Sequence, residues 1–402
     1  MKQRSSNQGG FDVVIGNPPY VFARDAHFDD NFKRAIADSY FSKLTNTNDG
    51  KQTKANQSGK INLFALFILH GIFELRAKGV LSFVIPNNIL RTTIYDTIRK
   101  YMLENTSINQ IVDLGSGVFQ KVTASTVTLL LTKKISDDNQ INAITDIVDL
   151  SKQIYTTNTI AQSQFLENTS YAFNIFGNSE NNIVLKAIEK NSSLFGNYCI
   201  DIIEGIVAKK TLIFTEPGDN RFPLLEGKSI KKYTIIGINK WIEWNKSEIH
   251  RARPDYLWQE DEKLVTQRIS GGYHPIIVAY DNSKYKTFAS TNCIVLKDDY
   301  KHLYKFFLAL LNSNTLNWYY ANNFSNNSKL TVNISKTYLE QLPIPNTTSA
   351  QQQPIIDLVD SILSAKRTNP QADTSADEKE IDRLVYELYG LTDEKIKIIE
   401  EK

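Results

Sequence analysis

The sequence predicts an α/β sheet followed by a β-rich α+β domain and a short helical tail, and three observations carry that reading. From Phe11 to Lys134, β-branched apolar runs alternate with helical stretches in the order strand, helix, strand, helix, strand, strand. Beyond about residue 150 short β-like runs separated by turns take over. From Gln351 the pattern becomes helical and charged. The expected boundaries are 1–150, 151–345 and 346–402, compatible with a prior of about 150 residues per domain.

Each element has a local cause. FDVVIG (Phe11–Gly16) is a short apolar run that reads as a buried strand, and it ends in NPPY (Asn17–Tyr20), where two prolines forbid both ladder pairing and helix continuation. Val21 to Ser58 is polar and reads as a mobile loop. Asn62 to Lys78 is apolar all round, with a charged end and Gly79 as a stop, which predicts a buried helix. Val80–Pro86 is a strand, Thr92 to Glu104 an amphipathic helix, and Ile108–Gly115 and Ser125–Lys134 are two further strands, the last antiparallel at the sheet's end. In the second domain the β-like runs include EGIVAKKTLIF, KKYTIIG, HPIIVAYDN and NCIVLKDD, with one strong helix at Leu303–Leu311. Helices at Pro354–Ala365 and Asp377–Tyr389 form the tail.

Composition excludes more than it assigns. Forty-six Lys+Arg against 44 Asp+Glu leave a formal net charge of +2, so any basic footprint for a nucleic acid must be local. Two cysteines, Cys199 and Cys293, exclude a disulfide scaffold and a cysteine-only zinc site, and fit a reducing compartment. No stretch is apolar enough to span a bilayer, and the start carries no signal-peptide core. The chain reads as a soluble cytoplasmic protein.

NPPY is the sharpest feature. Ligands of open α/β sheets bind beyond the carboxyl ends of strands, which is where Asn17–Tyr20 falls. Prolines fix the backbone, so the Asn17 carboxamide oxygen and the Pro18 carbonyl form two pre-set acceptors, and Tyr20 adds an aromatic plane. Two acceptors and a stacking face suit a planar ligand with an exocyclic amino group, such as adenine. The bland alternative is a strand-to-loop turn begun by Asn-Pro.

FDVVIGNPPYV resembles the catalytic motif of the gamma-class adenine-N6 DNA methyltransferases. GKINLFALF, GVLSFVIPN and DLGSGVFQKVTASTVTLLL continue the resemblance in order, and KLVTQRI, AYDNSKY, LALLNSNTLNWYY and ISKTYLEQLPIP are similar to the TaqI-like specificity domain of type IIG restriction–modification proteins. The resemblance implies methyl transfer from S-adenosylmethionine to an adenine flipped out of double-stranded DNA. Asn17 and Pro18 would hold the amino group, Pro19 would shape the junction with the cofactor, and Tyr20 would stack on the base. Phe119 occupies the place of an aromatic that packs on the base's other side, and Phe67 that of an aromatic near the cofactor. Ordinary core packing is the alternative for both phenylalanines.

In that family the glycine-rich cofactor loop precedes the NPPY strand, whereas ten residues precede it here. DLGSG (Asp113–Gly117) looks superficially like such a loop, but it leads into a strand where a cofactor loop would lead into a helix. The resemblance therefore implies the C-terminal half of a Rossmann-like methyltransferase sheet, completed by a partner chain that carries the N-terminal motifs, or else a truncated remnant. The rival is a non-catalytic DNA-binding specificity subunit. For DNA contact the candidates are Lys209, Lys210, Arg251, Arg253, Arg268 and Lys329, each equally readable as part of a solvated charged face. No metal site is expected: the five histidines lack ligand spacing, and Asp255 with Asp261-x-Lys263 is too closely spaced for a two-strand nuclease site.

Overall fold

The computed structural model describes residues 9–21, 62–115, 125–149, 151–176, 179–272, 274–324 and 332–401. The chain forms two compact units, Met1–Asn178 and Ser179–Lys402.

The first unit is built on a six-stranded mixed sheet of β1 (Phe11–Gly16), β2 (Leu75–Pro86), β3 (Ser107–Gly115), β4 (Thr126–Thr132), β5 (Gln140–Asp149) and β6 (Ile154–Ala161), in the order β1-β2-β4-β3-β5-β6. β1 and β2 are parallel, as are β3 and β5, while β4 and β6 run antiparallel to their neighbours. β1, β2, β3 and β5 therefore end on the same edge. α1 (Leu63–Glu74) lies on the face formed by Val14, Leu81 and Phe83. It can approach so closely because residue 71 is glycine: a Cβ there would sit 2.5 Å from Leu81 Cδ1. α2 (Asp96–Asn105) packs on β3, and its end is tied down by the buried Gln162, which donates to the carbonyls of Leu103 and Thr106 and accepts from the Ile108 N–H.

Three expectations need correction. The antiparallel strand expected at the sheet's end, β4, lies inside it, paired with both β2 and β3. The helix expected over Asn62–Lys78 stops at Glu74, and residues 75–79 already belong to β2, so Gly79 is a strand residue and not a helix stop. Its cause is close backbone approach, since a Cβ at 79 would meet Phe11 O at 2.7 Å. The sheet also continues past the expected boundary at residue 150, because β5 and β6 extend it and the first unit runs to Asn178.

The second unit layers two four-stranded sheets and a set of helices. β7 (Cys199–Glu204), β8 (Ile213–Phe214), β9 (Arg221–Leu225), β10 (Trp241–Glu243), β11 (Lys263–Gln267), β12 (Val278–Asp281), β13 (Lys286–Thr287) and β14 (Thr291–Leu296) form the sheets β12-β11-β14-β7 and β13-β9-β10-β8. β14 is buried throughout because it is covered on both faces. Ile294 and Leu296 enter a core shared with helices α3 (Tyr304–Asn312), α4 (Asn314–Asn323), α5 (Ser349–Thr368), α6 (Ser375–Leu388) and α7 (Asp393–Glu400), while Cys293 and Val295 face the other β layer. The expected tail is thus part of this unit's core: Ile355, Val359, Ile362, Ile381 and Val385 are buried in it. The result is a mixed α/β fold with a methyltransferase-like sheet, a strand-rich C-terminal domain and a helical tail. Among the described residues no helix is long and apolar enough to cross a membrane.

Candidate functional site

The first unit places NPPY at the carboxyl edge of the sheet. β1 ends at Gly16, and the chain turns through Asn17 and Pro19, both exposed, with Pro18 buried between them. Tyr20 is half-buried; its hydroxyl donates to the Val84 carbonyl at 3.1 Å, and its ring meets Phe64 edge-on at 6.4 Å. Burial raises the Tyr20 phenol above its ordinary pKa, so it is a neutral donor at physiological pH. These contacts clamp the motif to β2 and α1. The Leu63 N–H donates to Val21 O at 2.8 Å, so the start of α1 is bonded to the residue after the motif. Asn17 is left with its carboxamide in solvent beside a fixed backbone.

Neighbouring strand ends furnish the rest of the edge. β2 runs out into Asn87 and Asn88, followed by the buried Arg91, whose guanidinium lies 5.6 Å from the Phe176 ring centroid. β3 ends in Asp113 and Gly115; the Asp113 carboxylate accepts the Gly115 N–H at 3.1 Å, and Gly115 has a φ of +68°. Burial raises the Asp113 pKa and the Asp146 charge adds to this, whereas the Gly115 N–H and the Arg91 charge oppose it. Arg91 and Asp113 were not among the expected site residues. The usable signal was position: Arg91 follows β2 and Asp113 lies in the last residues of β3, strands whose carboxyl ends share an edge with Asn17.

The other candidates fall as follows. Phe67, on α1 one turn beyond Leu63, is 42% exposed, so core packing does not account for it. Phe119 and Lys329 lie outside the described residues. DLGSG is described as far as Gly115, where β3 pairs antiparallel with β4. The nuclease-like spacing is dispersed: Asp255 pairs with Lys246, Asp261 with Lys284, and Lys263 with Asp281 in a fully buried ion pair. No group of three or more potential metal ligands occurs among the described residues.

In the second unit three of the expected cations converge. Arg251, Arg253 and Arg268 all pair with Glu204, while Lys209 and Lys210 sit on the exposed turn that follows β7. Glu204 itself was not foreseen.

Residues 2–119 match the Eco57I restriction-modification methylase family, and residues 222–344 match the TaqI-like C-terminal specificity domain. RM.MjaORFECS2P of Methanocaldococcus jannaschii is 24% identical over 321 residues, covering 77% of this chain and 25% of that protein. The type II restriction enzyme and methyltransferase RM.Eco57I of Escherichia coli is 23% identical over 192 residues, covering 46% of this chain and 17% of that protein. The chain thus spans about a quarter or less of these relatives' length. Among solved structures, the type IIL restriction-modification enzyme MmeI in complex with DNA aligns with a TM-score of 0.62 at 13% identity, over 96% of this chain and 56% of that one. The DrdV–DNA complex aligns with a TM-score of 0.56 at 10% identity, over 88% of this chain and 44% of that one. Both share the fold described above. The chain is homologous to the type II restriction-modification methyltransferases, an Eco57I-type methylase segment followed by a TaqI-like C-terminal specificity domain.

Proposed function

We propose that this chain is the catalytic-motif and target-recognition part of a site-specific adenine-N6 DNA methyltransferase. The observation that carries the reading is Asn17-Pro18-Pro19-Tyr20 clamped at the carboxyl edge of the sheet, with Asn17 exposed and Tyr20 tethered to Val84. Asn17 Oδ1 and the Pro18 carbonyl accept the two hydrogens of the adenine amino group, which directs the nitrogen lone pair away from the ring plane's conjugation. The Tyr20 ring stacks on the flipped base, and Phe119 packs on its other side. Because the prolines set this geometry before the base arrives, the rate gain is one of positioning.

S-adenosylmethionine, when bound, supplies an electrophilic methyl group on its sulfonium sulfur. The described residues fit one wall of such a site: Pro19 is exposed at the strand end, and Phe67 presents an exposed aromatic ring on α1. The other wall is assigned to a segment outside the described residues, carried by a partner chain or by more of the same polypeptide. β1 pairs only with β2 among the described strands, and Phe11, Val13 and Ile15 on it are 57%, 58% and 78% exposed. An apolar edge of that kind is completed by another strand, here one leading into a glycine-rich cofactor loop.

Two measurements test the reading. Isothermal titration of this chain alone is expected to show no saturable binding of S-adenosylmethionine at micromolar concentrations. Co-expression with a chain carrying the cofactor motifs is expected to give N6-methyladenine in duplex DNA, detected by mass spectrometry of nucleosides, and Asn17→Ala is expected to abolish it. If no adenine is methylated while wild type and Asn17→Ala bind DNA equally, the chain is a specificity subunit and the catalytic reading is wrong.

A further inference from the structure

The gathering of three arginines on one glutamate needs its own explanation. Glu204, at the end of β7, accepts from Arg268 through Oε1, while Oε2 lies 3.3 Å from Arg253 Nη2 and 3.6 Å from Arg251 Nη1. No second carboxylate lies within ion-pair distance of any of the three among the described residues. One negative charge against three positive leaves the cluster at +2, and guanidiniums cannot lose their protons to relieve it. A structural ion pair requires one arginine, not three. The cluster faces water: the Arg251 and Arg268 side chains are 44% and 38% exposed.

The backbone is shaped to hold this charge. Gly205 brings the end of β7 against the segment after β13 so closely that a Cβ at 205 would lie 2.2 Å from Phe288 O. The two segments then offer carbonyls to the arginines: Gly205 O to Arg253 Nε at 3.2 Å, and Ala289 O to Arg268 Nη1 at 3.2 Å. Arg253 has a φ of +65°, a left-handed conformation that costs a non-glycine residue of order 1 kcal/mol or more. The Arg251 N–H donates to Val207 O at 3.2 Å, which fixes the third arginine to the segment leading to Lys209 and Lys210. Strain, a glycine-only approach and unbalanced charge coincide at one exposed place.

We propose that Arg251, Arg253 and Arg268, organised by Glu204, form a phosphate site that grips a backbone phosphate of duplex DNA. The inference rests on the DNA-binding reading above and adds its anchoring point. Guanidinium forks match phosphate oxygens, and anchoring them on Glu204 and on carbonyls lowers the ordering entropy lost on contact. A backbone phosphate fixes register and orientation without carrying sequence. The cluster therefore contributes equally to every duplex.

The test uses the full chain and a fluorescein-labelled duplex of mixed sequence, followed by anisotropy across a salt series. Arg251→Gln and Arg268→Gln are each expected to weaken binding about tenfold at low salt, to the same extent for unrelated sequences. Each is expected to lower the slope of log K against log salt by about one. Arg251→Lys is expected to keep the slope while losing affinity, since the charge remains and the fork does not. Duplex should also protect Arg251 and Arg268 of the wild type from phenylglyoxal, which decides the matter even if a variant fails to fold. Wild-type binding with unchanged variants and no protection overturns the phosphate site and leaves the DNA reading standing. If the wild type binds no duplex, yet inorganic phosphate stabilises it thermally and not the Arg268→Gln variant, the site takes free phosphate and the DNA assignment is overturned. If neither binds, both fall.

Discussion

Replacing Arg99 with methionine is expected to destabilise the first unit by about 3–5 kcal/mol and to leave the second untouched. Arg99 sits on α2, fully buried, and its guanidinium makes at least five hydrogen bonds, to four carbonyls of the described residues. Ile89 O and Thr92 O are reached at 2.8 and 2.9 Å, Ser170 O at 2.6 and 3.2 Å, and Tyr171 O at 3.1 Å. Thr92 O also accepts the Tyr95 N–H, so it keeps a partner in the variant. That leaves three carbonyls to lose an ionic donor at about 1–3 kcal/mol each, partly offset by removal of a buried charge. Methionine retains the apolar stem, so little cavity cost adds to this. The assay exploits an accident of sequence: the four tryptophans, 241, 244, 258 and 318, all lie in the second unit. Urea unfolding followed by far-ultraviolet circular dichroism reports both units, and tryptophan emission reports the second. Arg99→Met should shift the transition seen only by dichroism to lower urea while the emission midpoint stays in place. A shift worth less than about 1 kcal/mol would refute the claim that this guanidinium holds the segments after β2 and before Asn178 together.

Two pH dependences follow from buried groups of the second unit. Burial raises the Asp382 carboxyl to about 6, against the opposing Asn314 N–H and Lys232 charge and with Glu378 and Glu400 adding to it. The folded state therefore holds the proton more tightly, and the contribution falls as pH rises from about 4 to 6. Asp382→Asn, which keeps an acceptor for the Asn314 N–H, should flatten that decline and gain about 1–2 kcal/mol at pH 7 by tryptophan-monitored unfolding; an unaltered pH profile contradicts the assignment. Lys286 behaves in the opposite sense. Its ammonium lies 4.3, 5.0 and 5.1 Å from the ring centroids of Trp244, Phe222 and Trp258, and burial, with the charge of Lys263, pulls it down to about 8 while Asp255 opposes. Between pH 8 and about 10.4 the unfolded chain binds more protons, so stability rises with pH through that window. Tryptophan emission should titrate near pH 8 in the wild type and stay flat in Lys286→Met, and a flat wild-type titration would show that the amine is not neutralised among the rings.

What could be read in advance divides along physical lines. The NPPY placement was legible because an apolar run that meets two prolines has one outcome, a strand ending at a fixed turn. The end of α1 was not legible, since Leu75 continues the apolar texture of Ile72 and Phe73 while the backbone has already changed from helix to strand. β5 and β6 were missed for a related reason: QINAITDIVD and IYTTNTIA carry polar residues on their open faces, so their apolar period is interrupted. Arg251, Arg253 and Arg268 were visible as charges, but Glu204 is far from them in sequence and only the strand arrangement brings it underneath. The role of Arg99 was hidden entirely, because its partners are backbone carbonyls, which every residue possesses.

The two faces of the first unit's sheet bear on how the candidate site works. Leu81, Phe83, Ile85, Leu129, Leu131 and Ile111 form the covered face, and all are buried beneath the helices. Across the ladder, the opposite face carries Ile15 beside Ser82 and Leu130, and Val84 beside Thr128 and Val112. These six are only partly buried or exposed among the described residues. Four of the six, Ile15, Leu130, Val84 and Val112, are apolar, and leaving such side chains in water costs about 25 cal/mol for each Å². A covering layer on this face would lie against the same strand, β1, whose last residue leads into Asn17. Whatever completes the sheet would add a second support to the motif, because among the described residues β1 pairs with β2 alone and Tyr20 bonds to β2. If the proposed catalytic role holds, filling the open edge and the open face would steady Asn17 and Pro18 before DNA arrives, so the completed sheet is a precondition for methyl transfer.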